Sequence, residues 1–178
     1  MKPDSAGWFS GVKRIASPNY DARPQRTPID MLVIHNISLP PDEFGGAAIG
    51  QLFTNTLDCT THPYYERLQG VRVSAHFLIR RDGQVIQWVA CQQRAWHAGI
   101  SAWQGRTRCN DFAIGIELEG CDTQAFEAAQ YRALARLTRV LKRHYPIRHI
   151  VGHADIAPGR KTDPGPFFDW QRYLNLQK

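Results

Sequence analysis

The sequence predicts a single α/β domain whose central mixed β-sheet is flanked by helices. Three observations carry that expectation. Short apolar runs rich in β-branched residues alternate with helical stripes, the order of strands interleaved with helices. An Asp-Gly pair at 82–83 between two apolar segments marks a hairpin, so the sheet is not wholly parallel. The 178 residues make up one domain's worth of chain and leave little room for a second.

The elements follow in order. Residues 1–26 are polar and proline-containing and read as an irregular leader, with the domain proper over 27–178. Met31–Ile34 is a β-branched run of the kind buried on both faces, and it ends at His35 before the loop Asn36–Pro41. Ile49, Leu52, Phe53 and Leu57 form the stripe of a short amphipathic helix over 47–57, and 58–72 reads as loop. Ser74–Arg80 and Gln84–Val89 are the hairpin strands, and Phe112–Leu118 is a further strand. A long helix carries Phe126, Ala129, Ala133, Leu137, Val140 and Leu141, with Asp122 or Thr123 as its cap and Pro146 as its stop. Ile147–Val151 is a short strand leading into Gly152-His153. Ala157–Pro166 holds three prolines and two glycines and must be a stiff loop. Phe167–Leu176 fits a last short helix docked by Phe168 or Trp170.

Composition narrows the function. A net charge of +6 admits nucleic acid, an anionic membrane or an acidic substrate. No run of five basic residues and no reader motif is present, which argues against nucleic acid. The longest basic cluster, Arg132 to Arg143, lies in the long helical pattern and reads as a solvated face. Five Trp, six Tyr and eight Phe exclude disorder of the bulk. Neither a membrane span nor the apolar run of a signal peptide is visible, so a cytoplasmic chain without a membrane partner is expected; it is separately expected to be a monomer. Cys59, Cys91, Cys109 and Cys121 show no C-x-x-C spacing and are expected to be small, unpaired side chains.

Chemistry concentrates at strand ends. His35 and His153 each follow a buried run, where the sheet holds a side chain while its tip faces a cleft. With Asp163 from the stiff loop they would make a two-histidine, one-carboxylate set, which leaves a fourth position for water as catalytic zinc requires. Spacing alone does not show that the three meet. Glu117 and Glu119 are carboxylates in an otherwise apolar strand. Either could be a general base, or both could share a solvent face, and spacing does not choose. Lys161 is a cation in the stiff loop, able to stabilise an oxyanion or simply to lie at the surface.

These residues sit in five motifs: Leu32–Pro41 (LVIHNISLPP), Ser74–Ile79 (SAHFLI), Arg94–Gly99 (RAWHAG), Asn110–Gly120 (NDFAIGIELEG) and Val151–Pro166 (VGHADIAPGRKTDPGP). In this order the chain resembles the zinc-dependent N-acetylmuramoyl-L-alanine amidases, and among them those acting on 1,6-anhydro-muropeptides in cell-wall recycling. The resemblance runs from about Ser17 to the C-terminus. It implies the fold shared with peptidoglycan recognition proteins and T7-type lysozyme, and a bound Zn²⁺. It implies His35, His153 and Asp163 as zinc ligands, Glu117 as proton acceptor and Lys161 as transition-state stabiliser. The substrate would be an anhydro-muropeptide cut between its lactyl group and L-alanine. Because that peptide is anionic, Arg72 and Arg108 are expected to grip it. Asn36 is expected to bond near the scissile amide, and His76 and Trp96 either to shape the wall or to pack as support behind it. The competing readings are a non-catalytic module of the same fold, a nucleic-acid-binding protein, and an amidase acting on intact wall.

Overall fold

The computed structural model describes residues 1–177. In chain order the strands and helices are β1 (Lys13–Arg14), β2 (Tyr20–Ala22), β3 (Met31–Ile37), α1 (Ala48–Phe53), α2 (Pro63–Glu66), β4 (Phe77–Ile79), β5 (Val85–Gln87) and β6 (Gln93–Ala95). These are followed by β7 (Ala102–Trp103), β8 (Arg106–Thr107), a 3-10 turn (Cys109–Asp111), β9 (Ala113–Glu119), α3 (Ala128–His144), β10 (His149–Gly152), α4 (His153–Ile156) and α5 (Trp170–Asn175). The main sheet has six strands in the order β1-β5-β4-β9-β3-β10. It is mixed, since β4 and β5 pair antiparallel while β4, β9, β3 and β10 run parallel. The hairpin forms where Asp-Gly marked it, with Gly83 alone at positive φ (86°).

The two faces of the sheet differ. Leu32, Ile34, Ile114 and Ile116 face α3 and α5, packing with Leu134, Leu137, Leu141 and Tyr173. Met31, Val33 and Ala113 face the other way, toward Ala98, Cys109 and Ile156. This alternation puts His35 and Glu117 on the second face, because they continue the Met31–Val33 and Ala113–Gly115 series.

Several expectations change in detail. The leader is not simply irregular: β1 joins the main sheet beside β5, and β2 pairs with β6. Some of its polar residues bind backbone groups inside the protein, while most of the others stay exposed. Asn19 Nδ2 donates to the Val73 carbonyl at 2.8 Å, and Arg23 donates to the carbonyls of Cys91, Asn110, Asp111 and Ala113. Within the expected loop 58–72, His62 caps the one-turn α2, whose first residue is Pro63. Helix α1 stops at Phe53, short of Leu57. The cap of α3 is Glu127, not Asp122 or Thr123, and its backbone N–H donates to Gln130 Oε1 at 3.0 Å. The last helix docks by Phe168 and Tyr173, both buried, with Trp170 packed at the edge. The four cysteines are free thiols, and only Cys59 is partly exposed. No helix among the described residues is long and apolar enough to cross a membrane.

Candidate metal centre

Three adjacent parallel strands deliver the site. His35 and Glu117 are register partners on β3 and β9, so their side chains stand next to each other on one face. On the other side of β3, β10 ends with Gly152 opposite Ile34, and His153 opens α4 immediately after it. The site thus lies at the carboxyl ends of parallel strands, the usual crevice of an open α/β sheet. Asp163 arrives from the proline-rich loop, which the Ala154 N–H ties down by donating to the Asp163 carbonyl at 2.9 Å.

Three side-chain atoms converge there. His35 Nδ1 lies 2.9 Å from Asp163 Oδ2 and 3.0 Å from His153 Nδ1, and His153 Nδ1 lies 3.1 Å from Asp163 Oδ2. This near-equilateral triangle is slightly tighter than the edge of about 3.4 Å expected for tetrahedral bonds of about 2.1 Å. Two imidazole nitrogens with no other polar partner on that side, plus one carboxylate oxygen, form a donor set suited to zinc. Among the described residues it is the one such group of histidine, cysteine and carboxylate side chains. The electrostatics agree. Burial disfavours the Asp163 carboxylate, yet its contacts with His153 and His35 outweigh it and hold its pKa well below the usual range. Burial also lowers the pKa of His35 despite the opposing pull of Asp163, favouring the neutral ring a metal needs.

The two glutamates separate clearly. Glu119 is buried in an ion pair with Arg80 at 2.6 Å and accepts from the N–H groups of Gly45 and Arg81. Its charge is spent on structure. Glu117 is 8% exposed, and its Oε2 is buried without a hydrogen-bond partner. Burial first, then the Asp163 charge, pushes its pKa well up, while Lys161 pulls it down. Lys161 is exposed on the loop, and its charge reaches both Glu117 and His35.

The expected substrate residues fare unevenly. Arg108 is on the rim of a cleft of about 540 Å³ formed by Gly99–Ala102, Thr107 and Ile156–Pro158, with Arg160 on its wall. Among the described residues its only ion-pair partner is Asp111 at 3.3 Å, and its side chain is 70% exposed. Arg72 lines a different, smaller cavity of about 180 Å³ near Leu52, Leu57 and Leu68, to which the metal cluster contributes nothing. Both amide donations of Asn36 go to protein, to Asp122 at 2.7 Å and the Pro164 carbonyl at 3.1 Å, leaving only its Oδ1 for a ligand. Trp96 is half-buried. His76 is corrected: it is fully buried, and its Nδ1 accepts from the Gly115 N–H at 3.0 Å. It supports β9 from within and cannot line a wall. Sequence reasoning missed His97, whose Nδ1 lies 3.0 Å from His35 Nε2.

The comparisons with known proteins agree with this geometry. The family model described as N-acetylmuramoyl-L-alanine amidase matches residues 25–166. The 1,6-anhydro-N-acetylmuramyl-L-alanine amidase AmpD of Escherichia coli is 57% identical over 172 residues, covering 96% of this chain and 94% of that protein. A crystal structure of a selenomethionine AmpD derivative is 54% identical and superposes with a TM-score of 0.97 over 100% of both chains. The amidase AmiD from E. coli, solved with the substrate anhydro-N-acetylmuramic acid-L-Ala-D-γ-Glu-L-Lys, is 34% identical. It superposes with a TM-score of 0.62 over 98% of this chain and 65% of that one. On sequence, fold and site together, this chain belongs to the N-acetylmuramoyl-L-alanine amidase family.

Proposed function

We propose that this protein is a zinc-dependent amidase of cytoplasmic muropeptide recycling, acting as a monomer. Its reaction is hydrolysis of the amide between the lactyl group of 1,6-anhydro-N-acetylmuramic acid and L-alanine. The observation that carries this reading is an unpartnered, buried carboxylate oxygen on Glu117 beside the converging His35, His153 and Asp163. Its support in the comparisons is the identity to AmpD and the substrate named in the AmiD complex.

Zinc, when bound by His35, His153 and Asp163, supplies Lewis acidity toward the scissile carbonyl and a more acidic water. Glu117 does the proton work. Its raised pKa suits it to accept a proton near neutral pH and to pass it to the leaving alanine nitrogen. Lys161 supplies positive charge where the carbonyl oxygen becomes anionic. Asn36 Oδ1 is left to accept from the substrate, Trp96 forms wall, and Arg108 meets the peptide carboxylates. Mass spectrometry of anhydro-muropeptide incubated with the protein tests the reading. Release of a peptide beginning with L-alanine, abolished by a chelator and restored by zinc, is expected. Intact substrate, the outcome for a binding module, would overturn it, as would cleavage indifferent to the chelator.

The cleft beside α4 carries two guanidinium groups, Arg108 and Arg160, and no carboxylate. Arg160 is engaged with the carbonyls of Ala98 and Ile100, so Arg108 is the one placed to reach out. Arg108→Ala is therefore expected to raise KM for an anionic muropeptide by about tenfold, the worth of one charged hydrogen bond. For a peptide-amidated analogue the change should be smaller. Steady-state kinetics on both substrates check this, and equal effects would remove Arg108 from carboxylate binding.

A further inference from the structure

Each histidine of the cluster has a second ring nitrogen, and one dipeptide holds both. His35 Nε2 lies 3.0 Å from His97 Nδ1, and His153 Nε2 lies 3.1 Å from the Ala98 carbonyl. Asn110 fixes that dipeptide, because its Oδ1 accepts from the N–H groups of His97 (3.2 Å) and Ala98 (2.8 Å). Arg160 adds a second hydrogen bond to the Ala98 carbonyl at 2.8 Å. The His97 ring lies flat against β9 at Gly115, where any Cβ would overlap it.

We propose that His97–Ala98, clamped by Asn110, is the bracket that sets the orientation and tautomer of both histidines, with His97 a positioning residue. The proposal rests on the metal reading of the cluster. For His35 Nδ1 to keep a lone pair facing Asp163 and His153, the ring proton must sit on Nε2. That N–H then needs an acceptor in a dry site. His97 Nδ1 is the atom in place. His97 Nε2 has no hydrogen-bond partner among the described residues. An imidazole kept for packing alone would bury that polar atom for nothing, so its use lies at the His35 end. The Ala98 carbonyl can only accept, and it fixes the His153 tautomer in the same sense.

Three variants separate hydrogen bonding from packing. In His97→Asn the side-chain oxygen falls about where Nδ1 stood. In His97→Leu the volume is kept and the acceptor lost, and in His97→Gln the acceptor is displaced toward the old Nε2 position. Zinc affinity by chelator competition, the visible spectrum of the cobalt-substituted protein, and kcat and KM are read for each. His97→Leu and His97→Gln are expected to bind zinc about 10–100-fold more weakly. They should also alter the cobalt spectrum and lower kcat more than KM is changed. His97→Asn should recover most of the zinc affinity and the cobalt spectrum. If the leucine variant does not fold, the contrast between asparagine and glutamine decides. Equal losses in asparagine and glutamine, or wild-type zinc affinity in leucine, overturn the bracket alone. A wild-type protein with no zinc affinity overturns the metal reading beneath it.

Discussion

Glu117→Gln is expected to lower kcat by about 10²- to 10⁴-fold, the usual contribution of a positioned general base. It should leave zinc content unchanged, because the carboxyl is not one of the three converging ligand atoms. The same change should stabilise the metal-free protein at neutral pH. Burial raises the Glu117 pKa above its unfolded value of about 4.3. The folded state therefore holds that proton more tightly than the unfolded state does, and stability falls as pH rises from the unfolded value through the folded one. Above the folded pKa the protein carries a buried carboxylate with one unpartnered oxygen. Glutamine removes the charge, and relief of about 1 kcal/mol would raise the unfolding midpoint by about 2–4 °C. Near pH 4 most of the advantage should vanish, since Glu117 is then mostly protonated in both states. Thermal melts of both metal-free proteins at pH 4 and pH 7.5, with single-turnover kinetics of the zinc-loaded forms, test both halves. Wild-type turnover in the glutamine variant would remove Glu117 from the chemistry. A lower midpoint at pH 7.5 would show that the carboxylate is satisfied in some other way.

How the site could be read from sequence follows from what each residue depends on. His153 is legible because it directly follows the end of a buried strand, while His35 is marked by the same kind of run although β3 continues past it to Ile37. Glu117 was only half legible. Period-two alternation puts Glu117 and Glu119 on the same face of β9. What separates them is register: Glu117 sits opposite His35, and Glu119 lies one step on, within reach of Arg80. Register between strands whose partners lie 82 residues apart is a tertiary fact. His97 was illegible for a similar reason. Its neighbour His35 is 62 residues away, and its seat exists only because β9 carries glycine at 115. The small Ala113-Gly115 series on the site face was the available signal. His76 and the leader were only partly legible. The resemblance admits His76 as wall or as support, and the polar, proline-containing leader reads as irregular. Both are absorbed by backbone groups: Gly115 N–H for His76, and strand and turn carbonyls for Asn19 and Arg23. A polar residue whose partner is distant backbone leaves no periodic trace.

Asp163→Ala should fail differently from Glu117→Gln, and the contrast separates holding the metal from moving the proton. Asp163 provides the only anionic ligand atom in the cluster, and Oδ2 is the vertex that both histidines approach at 2.9 and 3.1 Å. Removing it leaves two imidazole nitrogens 3.0 Å apart with no anionic ligand atom to offset a dication. The loss of zinc affinity should therefore exceed the roughly 10–100-fold typical of an outer-shell partner. Protein purified without added zinc should be nearly metal-free and inactive. The carboxylate also anchors the loop chemically. Its backbone stays tied through the Ala154 N–H, so the fold should survive the substitution. What activity Asp163→Ala retains should climb with added zinc, in step with occupancy measured by elemental analysis. The activity of Glu117→Gln should not respond, since its site is already filled. Asp163→Asn refines the point: the amide oxygen keeps the shape and loses the charge, so its zinc affinity should fall between wild type and alanine. An alanine variant that keeps full zinc and full turnover would show that the triangle of His35, His153 and Asp163 is a hydrogen-bonded cluster and not a metal site. The proton relay through Glu117 would then need another source for its nucleophile.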